Sequence, residues 1–463
     1  MHARPATSTR SRYVRAVTCL CALALWWSSG CASTYTDRLS TAYQAVNVGD
    51  YETGVDELSR ILGVDSYEDI PNKWSADRPL AALERGMLLQ ALGRYRWSAR
   101  DLSAAETELE FLDMKLDTVG NIGKYIYSDS AEVYKIQPTE RLALNALNML
   151  NYLAVGNLEG AAVEARRFTL AREYLESEDD ASHGAFGSYL AGFVFERLGQ
   201  PDRALRYYEE ALDAGDLEAL RGPIARLSRQ GSYAGRRLRE YVEELEASGV
   251  DVTSLPPEGE ETDGEILVVL GLGRVPYKVP EYMPIGAAIG YASIWVTGST
   301  RVLARTAFKV VAYPELVARY NLVRGAGVHL DGDSLPVELL TDLGGEIATE
   351  YEAIKPKIIG AALTRMIARA VASEGVRSLA DDRDGATAIL AALATEAVLV
   401  GLDEPDTRSW TLLPSRVYMS RARVRPGTHQ IRVDFRGRSQ ETREIEVDVA
   451  PGGFAVLVIA EPR

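Results

Sequence analysis

The chain has 463 residues, with 66 acidic against 51 basic side chains and a net charge of −15. That balance repels nucleic acid and anionic lipid surfaces, and no basic stripe with interleaved aromatics offsets it, so nucleic-acid binding is excluded. The length exceeds one ordinary core and predicts two or three domains.

The N-terminus comes first. Arg4, Arg10, Arg12 and Arg15 precede any acidic residue, an apolar run extends from Ala16 to Trp27, and Ser28, Ser29 and Gly30 lead to Cys31. A basic start, a short apolar stretch and a small-residue cleavage zone predict a secretory signal peptide over residues 1–30. A run of twelve residues falls short of the roughly 20 that a spanning helix needs. Two of the three cysteines, Cys19 and Cys21, lie inside that apolar stretch. Cleavage would leave one thiol, Cys31, and 47 basic against 66 acidic side chains, a balance of −19. An exported chain with a single thiol and no possible internal disulfide calls for a modification of that thiol.

The segment SSGC resembles the bacterial lipobox, in which small residues precede the lipidated cysteine; it departs at Ser28, where that pattern usually has Leu. The resemblance implies a lipid on Cys31 and a membrane anchor. Ala32, with no Asp after the cysteine, implies the outer membrane facing the periplasm of a bacterial cell envelope.

From residue 31 to 247 the apolar spacing is helical, with short turns marked by glycine. The clearest unit is GSYLAGFVFERLGQPDRALRYYEEALDAG: Gly192 sits on a first helix, and Ala204, Tyr208 and Ala211 on a second. Small residues at Gly192 and Ala204 allow close approach, with aromatics filling the gaps. This pattern resembles the tetratricopeptide repeat. Aligned on the inter-helix turn, Gly54, then Gly86 with Ser98, and then Ala161 take equivalent places. The positions equivalent to Ala204 lie 44, 63 and 43 residues apart, so the repeats are divergent and elongated, with an excursion near Asp117 to Tyr134. The resemblance implies a concave surface for an envelope protein or peptide partner. Tyr43, Gln90, Asn148, Asn151 and Tyr189, on the first helices, are the expected groove-lining residues.

Residues 248–263, acidic and rich in Pro and Gly, predict a linker. Residues 264–463 read as an α+β domain. EILVVLGLG predicts a buried strand, and Val302 to Ala312 another. Apolar helices are expected over Pro336–Ser373, interrupted by Arg365 and Arg369, and over Thr387–Leu402, interrupted by Glu396. The tail alternates with period two around RVYMSRARV, HQIRVDF, REIEVDV and FAVLVIA, broken at Pro426-Gly427, which predicts a four-stranded β-meander with Pro426-Gly427 as a tight hairpin turn. The fold class expected is thus α followed by α+β: a tetratricopeptide-like helical repeat domain, then an α+β domain ending in a β-meander.

The stretch from Asp406 to Val433 resembles the C-terminal segment of a group of bacterial lipoproteins with tetratricopeptide repeats, through Asp406, Arg408, Ser409, Trp410, Leu413, Pro414, Arg421, Pro426, Gly427 and His429. The resemblance implies no particular activity. HExxH and paired-cysteine metal motifs, a nucleophile elbow and a Walker loop are absent from the sequence, and no cofactor, metal or small-molecule substrate is expected. The leading expectation is a non-catalytic, membrane-anchored scaffold or adaptor. The alternative is an envelope hydrolase acting on cell-wall or glycan material, with His329, Asp331, Asp333 or Arg408 as its site.

Overall fold

The computed structural model describes residues 35–75, 77–111, 134–176, 184–247, 249, 263–296, 300, 310–380, 405–438 and 440–463. The signal peptide, Cys31, most of the linker, the excursion before Tyr134 and the helix expected over Thr387–Leu402 lie outside the described residues.

The N-terminal region is built of helical hairpins: α1 (Tyr35–Val48) with α2 (Tyr51–Leu62), α3 (Arg78–Ala91) with α4 (Tyr95–Glu108), α5 (Pro138–Ala154) with α6 (Leu158–Glu176), and α7 (Ala185–Arg197) with α8 (Pro201–Leu212). Helices α9 (Arg221–Ser228) and α10 (Arg236–Ala247) follow. A parallel pair of two-residue strands, β1 (Glu110–Phe111) and β2 (Lys135–Ile136), brackets residues 112–133. Each hairpin turns on a glycine in the left-handed region: Gly49, Gly93, Gly156 and Gly199, with φ between 66° and 83°. At each, the glycine N–H and the next N–H bond back to the end of the first helix, as Gly199 to Glu196 O at 3.0 Å and Gln200 to Phe195 O at 2.9 Å.

The small residues of the hairpins are demanded by close approach. A methyl group at Gly192 would lie 2.4 Å from the Tyr208 ring, at Gly54 2.7 Å from Leu88, and at Gly86 2.9 Å from Leu102. Ser98, Ala161, Ala204 and Ala211 are likewise buried between helices.

The C-terminal region holds β3 (Gly264–Leu272), β4 (Tyr277–Pro284), α11 (Ile285–Ala292), β5 (Val310–Val317), β6 (Val323–Leu330), β7 (Asp333–Leu335), β8 (Glu338–Thr341), α12 (Leu343–Ala380), β9 (Arg416–Val424), β10 (Gly427–Gly437), β11 (Thr442–Val449) and β12 (Phe454–Glu461). One four-stranded sheet has the order β12-β3-β9-β8, with β12 parallel to β3; a second, antiparallel throughout, has the order β11-β10-β6-β7. Strands β4 and β5 form a separate ribbon against α11 and α12. The strand expected from Val302 is seen from Val310, and residues 338–341 form a strand ahead of a helix that begins at Leu343.

The expected β-meander is corrected. The four tail strands exist, but β9 and β12 belong to the first sheet and β10 and β11 to the second. Both edges of β9 are taken by β3 and β8, so β10 cannot pair with it. Pro426-Gly427 is therefore a crossover between sheets rather than a hairpin turn, with Gly427 at φ 143°.

Strand β3 explains the arrangement. Ile266, Val268, Leu270 and Leu272 point into the core between the two sheets, with Val328, Ile431, Val433 and Phe435 opposite. Leu267 and Val269 point the other way, into a core continuous with the helical hairpins that also takes Val417 and Met419 of β9 and Val456 and Val458 of β12. A strand apolar on both faces is what two-sided burial requires. The helical region and the first sheet thus share one apolar core across the linker.

Gly192→Ala should lower stability by about 1–3 kcal/mol through overpacking against Tyr208. Gly290→Ala, which meets nothing within 4 Å, should leave it nearly unchanged. Denaturant midpoints of the two variants check the contrast.

Candidate functional site

The first helices of the hairpins were expected to line an open groove. In the structure that face is packed on the first sheet: α3 and α5 meet β12, and α7 meets β8. Every residue from 79 to 90 of α3 and from 185 to 196 of α7 is buried, because each helix has helices on one side and β-structure on the other.

Three polar anchors fix this contact. Glu84 of α3 accepts the backbone N–H groups of Thr411 and Leu412, both at 2.8 Å, and the Thr411 and Tyr43 hydroxyls at 2.9 Å. Burial pushes its carboxyl up to about 7 against those donors. Beside it, Trp410 is fully enclosed. The Arg408 guanidinium donates to Asp406 at 2.8 and 2.6 Å and to Asp77, at the start of α3, at 3.1 Å.

The third anchor joins α7, α8 and the first sheet. Arg421 of β9 donates to Glu265 of β3 at 2.7 and 2.9 Å, to Glu196 of α7 at 2.8 Å and to the Tyr208 hydroxyl at 3.0 Å. Burial alone would raise the Glu196 carboxyl, but Arg421, Arg197 and Arg226 hold it well below the carboxylate range. The C-terminal motif residues Asp406, Arg408 and Trp410, with Arg421, therefore clamp the two regions together. Pro414 packs beside Gly271, a Cβ position 3.2 Å from its ring.

The expected groove residues are corrected accordingly. Tyr43 hands its hydroxyl to Glu84. Gln90 donates to Leu147 O at 3.2 Å and to Asn151 at 2.9 Å; Asn151 donates to Ser98 at 2.9 Å, and Asn148 to Ser103 at 3.0 Å. Tyr189 is fully buried, its ring 5.9 Å from that of Tyr208. None of Gln90, Asn148, Asn151 and Tyr189 reaches solvent: their polar groups or rings bridge neighbouring elements.

An open recess of about 650 Å³ lies elsewhere, between α4, α5 and α6. Leu109, Leu170 and Tyr174 give it apolar walls, and Leu170 is 68 % and Tyr174 40 % exposed. Its floor is ionic: Glu106 accepts from Arg141 at 2.7 Å, Arg167 at 3.0 Å and Asn145 at 3.0 Å. Arg167, half-exposed, also pairs with Glu164 at 3.0 Å. No short sequence motif marks this recess, since its walls are shared among three successive helices rather than carried by one segment.

The residues first considered for a hydrolase are not brought together. His329 pairs with Asp434 at 3.1 Å, and Asp331 instead pairs with His429 at 2.7 Å. Asp331 occupies the turn after β6, at φ 51°, while Asp333 lies opposite Leu330 on β7. Arg408 is consumed by Asp406 and Asp77. No family model matches the chain, and no curated protein or solved structure matches it.

Arg421→Met should cost about 3 kcal/mol, because it removes the most deeply buried of the three arginines that Glu196 and Glu265 share and leaves Arg197 and Arg226 to answer both carboxylates. A denaturant titration measures the loss. The buried carboxyl of Glu350 on α12 accepts the Thr139 N–H at 3.0 Å, and burial pushes it up to about 7 from 4.5. A raised carboxyl stabilises the fold fully below the unfolded value of 4.5 and stops doing so as pH rises through about 7. Stability should therefore fall by about 2–3 kcal/mol per such group between pH 4.5 and 8, and Glu350→Gln should flatten the slope in pH-resolved melts.

Proposed function

We propose that the chain is a membrane-anchored envelope lipoprotein, processed before Cys31 and lipidated there, that acts as a non-catalytic scaffold for a protein partner. Its helical hairpins are divergent tetratricopeptide-like repeats. The recurring left-handed turns at Gly49, Gly93, Gly156 and Gly199 and the Gly192–Tyr208 contact support that reading. In this scaffold the first-helix face is a brace for the β-structure rather than a binding groove.

The single observation that carries the partner site is the solvent-open recess between α4, α5 and α6, set against a first-helix face closed by the chain's own sheet. Exposed Leu170 and Tyr174 beside the half-exposed Arg167 suit a peptide segment that presents an apolar side chain next to a carboxylate. No helix among the described residues is long and apolar enough to cross a membrane.

Crosslinking in envelope extract, with the form lacking residues 1–31, should capture a defined protein partner. Leu170→Asp should reduce that capture at least tenfold without changing the melting temperature. Capture that is equal for wild type and Leu170→Asp would remove the recess from the reading. Cys31→Ser should release the full chain from the membrane fraction; retention with normal processing would overturn the anchor.

A further inference from the structure

Between the first helical hairpin and the loops after β3 and β5 lies a second polar cluster that shares no residue with the recess. Arg274 lies two residues past the end of β3. Its backbone is clamped by the Asn321 side chain, which accepts the Arg274 N–H at 3.0 Å and donates to the Arg274 carbonyl at 3.1 Å. Gly273, at φ 65°, lets Asn321 approach to within 2.5 Å of where a Cβ would stand. The side chain thus directed inward is only 5 % exposed.

One of its nitrogens, Nη2, donates to Asn47 at the end of α1, but Nε and Nη1 meet no acceptor. Two residues before the Asn321 clamp, Arg319 stacks over the Tyr277 ring at 4.4 Å, and its Nε is also without an acceptor. Burial and the nearby Arg319 charge together pull the Arg274 guanidinium down to about 10. The acidic and phenolic groups that face it are Glu84, Tyr43 and Tyr51. Each is committed elsewhere: Glu84 to Tyr43, Thr411 and Leu412, and Tyr51 to Glu461 at 2.9 Å, which in turn also accepts from Arg443 and Arg463.

Arg319 thus lies near enough for its charge to act on Arg274, three nitrogens of the two side chains (Arg274 Nε and Nη1, Arg319 Nε) have no acceptor, and the one carboxylate that acts on Arg274, Glu84, is bonded elsewhere. Buried charged donors without acceptors are costly, and like charges held together add to the cost. A single ligand type relieves both: an oxyanion, which accepts from both arginines and neutralises their repulsion. We propose that Arg274 and Arg319 form an oxyanion site for a carboxylate or phosphate group entering beside exposed Asn47.

Melting curves and calorimetric titrations of the full chain in detergent test this, with sodium phosphate and sodium acetate compared against sodium chloride at matched ionic strength. Wild type should gain at least about 2 °C in millimolar phosphate or acetate beyond the chloride control. Arg319→Gln, a half-exposed position, should bind at least tenfold more weakly while retaining its melting temperature in chloride. Arg274→Met, which removes two idle buried donors, should be as stable as wild type in chloride and indifferent to either anion. A response to phosphate alone assigns the site to phosphate groups, and to acetate alone to carboxylates. No response in wild type, or an undiminished response in Arg319→Gln, overturns the proposal.

Discussion

The fold depends on one contact: the outer face of the β12-β3-β9-β8 sheet lying on the first helices of the hairpins. Helix α7 is apolar nearly all round, and such a helix has to be covered on every side. Its own hairpin partner α8 and neighbouring helices cover one side, while Phe454 of β12, 5.8 Å from Phe193, and Arg421, 5.0 Å above the same ring, cover the other. Strand β3 has the matching need from the opposite direction, since Leu267 and Val269 would face water without the helices. Each region supplies the burial that the other lacks.

Apolar burial is non-directional, so the register of this contact is set by its polar groups. Glu84 can accept the Thr411 and Leu412 N–H groups only when that segment lies against α3 at one height. Arg421 satisfies Glu196 and Glu265 together only when β3, β9 and α7 meet at one point. Buried charges of this kind add little net stability over an apolar substitute, but a misregistered docking leaves them unpaired at several kcal/mol each. They specify the arrangement more than they strengthen it.

The helical hairpins were legible in the sequence because their signals are local. A glycine in the left-handed region ends each first helix, and Gly192 and the Tyr208 ring it admits lie on successive helices of one hairpin. The strands of the tail were legible for the same reason, since alternation is a local property. Which strand lies beside which is not local: β12 pairs with β3 nearly 190 positions earlier, and nothing in its alternation says so. Gln90, Asn148 and Asn151 misled in a related way. Polar residues on a helix face read as solvated, yet these three are spaced to bond Leu147, Ser98 and Ser103 between helices. The Asp406–Pro414 motif was visible as a pattern, while its role as a clamp on α3 required the distances to Asp77 and Glu84.

The two ends of β3 separate structural glue from a site. At its start, Glu265 is deeply buried, and both its oxygens are taken by Arg421, with Arg197 at 2.8 Å as a further partner. Just past its end, Arg274 is buried to a similar degree, yet two of its nitrogens are idle and the charge of another arginine, Arg319, acts on it. A polar group retained for cohesion is completed by the chain itself, because an incomplete buried network is worse than an apolar one. Incompleteness at Arg274, on a backbone held rigid by Asn321, is therefore the property that distinguishes it from the ionic anchors at Glu84, Arg408 and Arg421. The Glu84, Arg408 and Arg421 groups themselves each bond to partners within the fold, whereas Arg274 Nε and Nη1 have none.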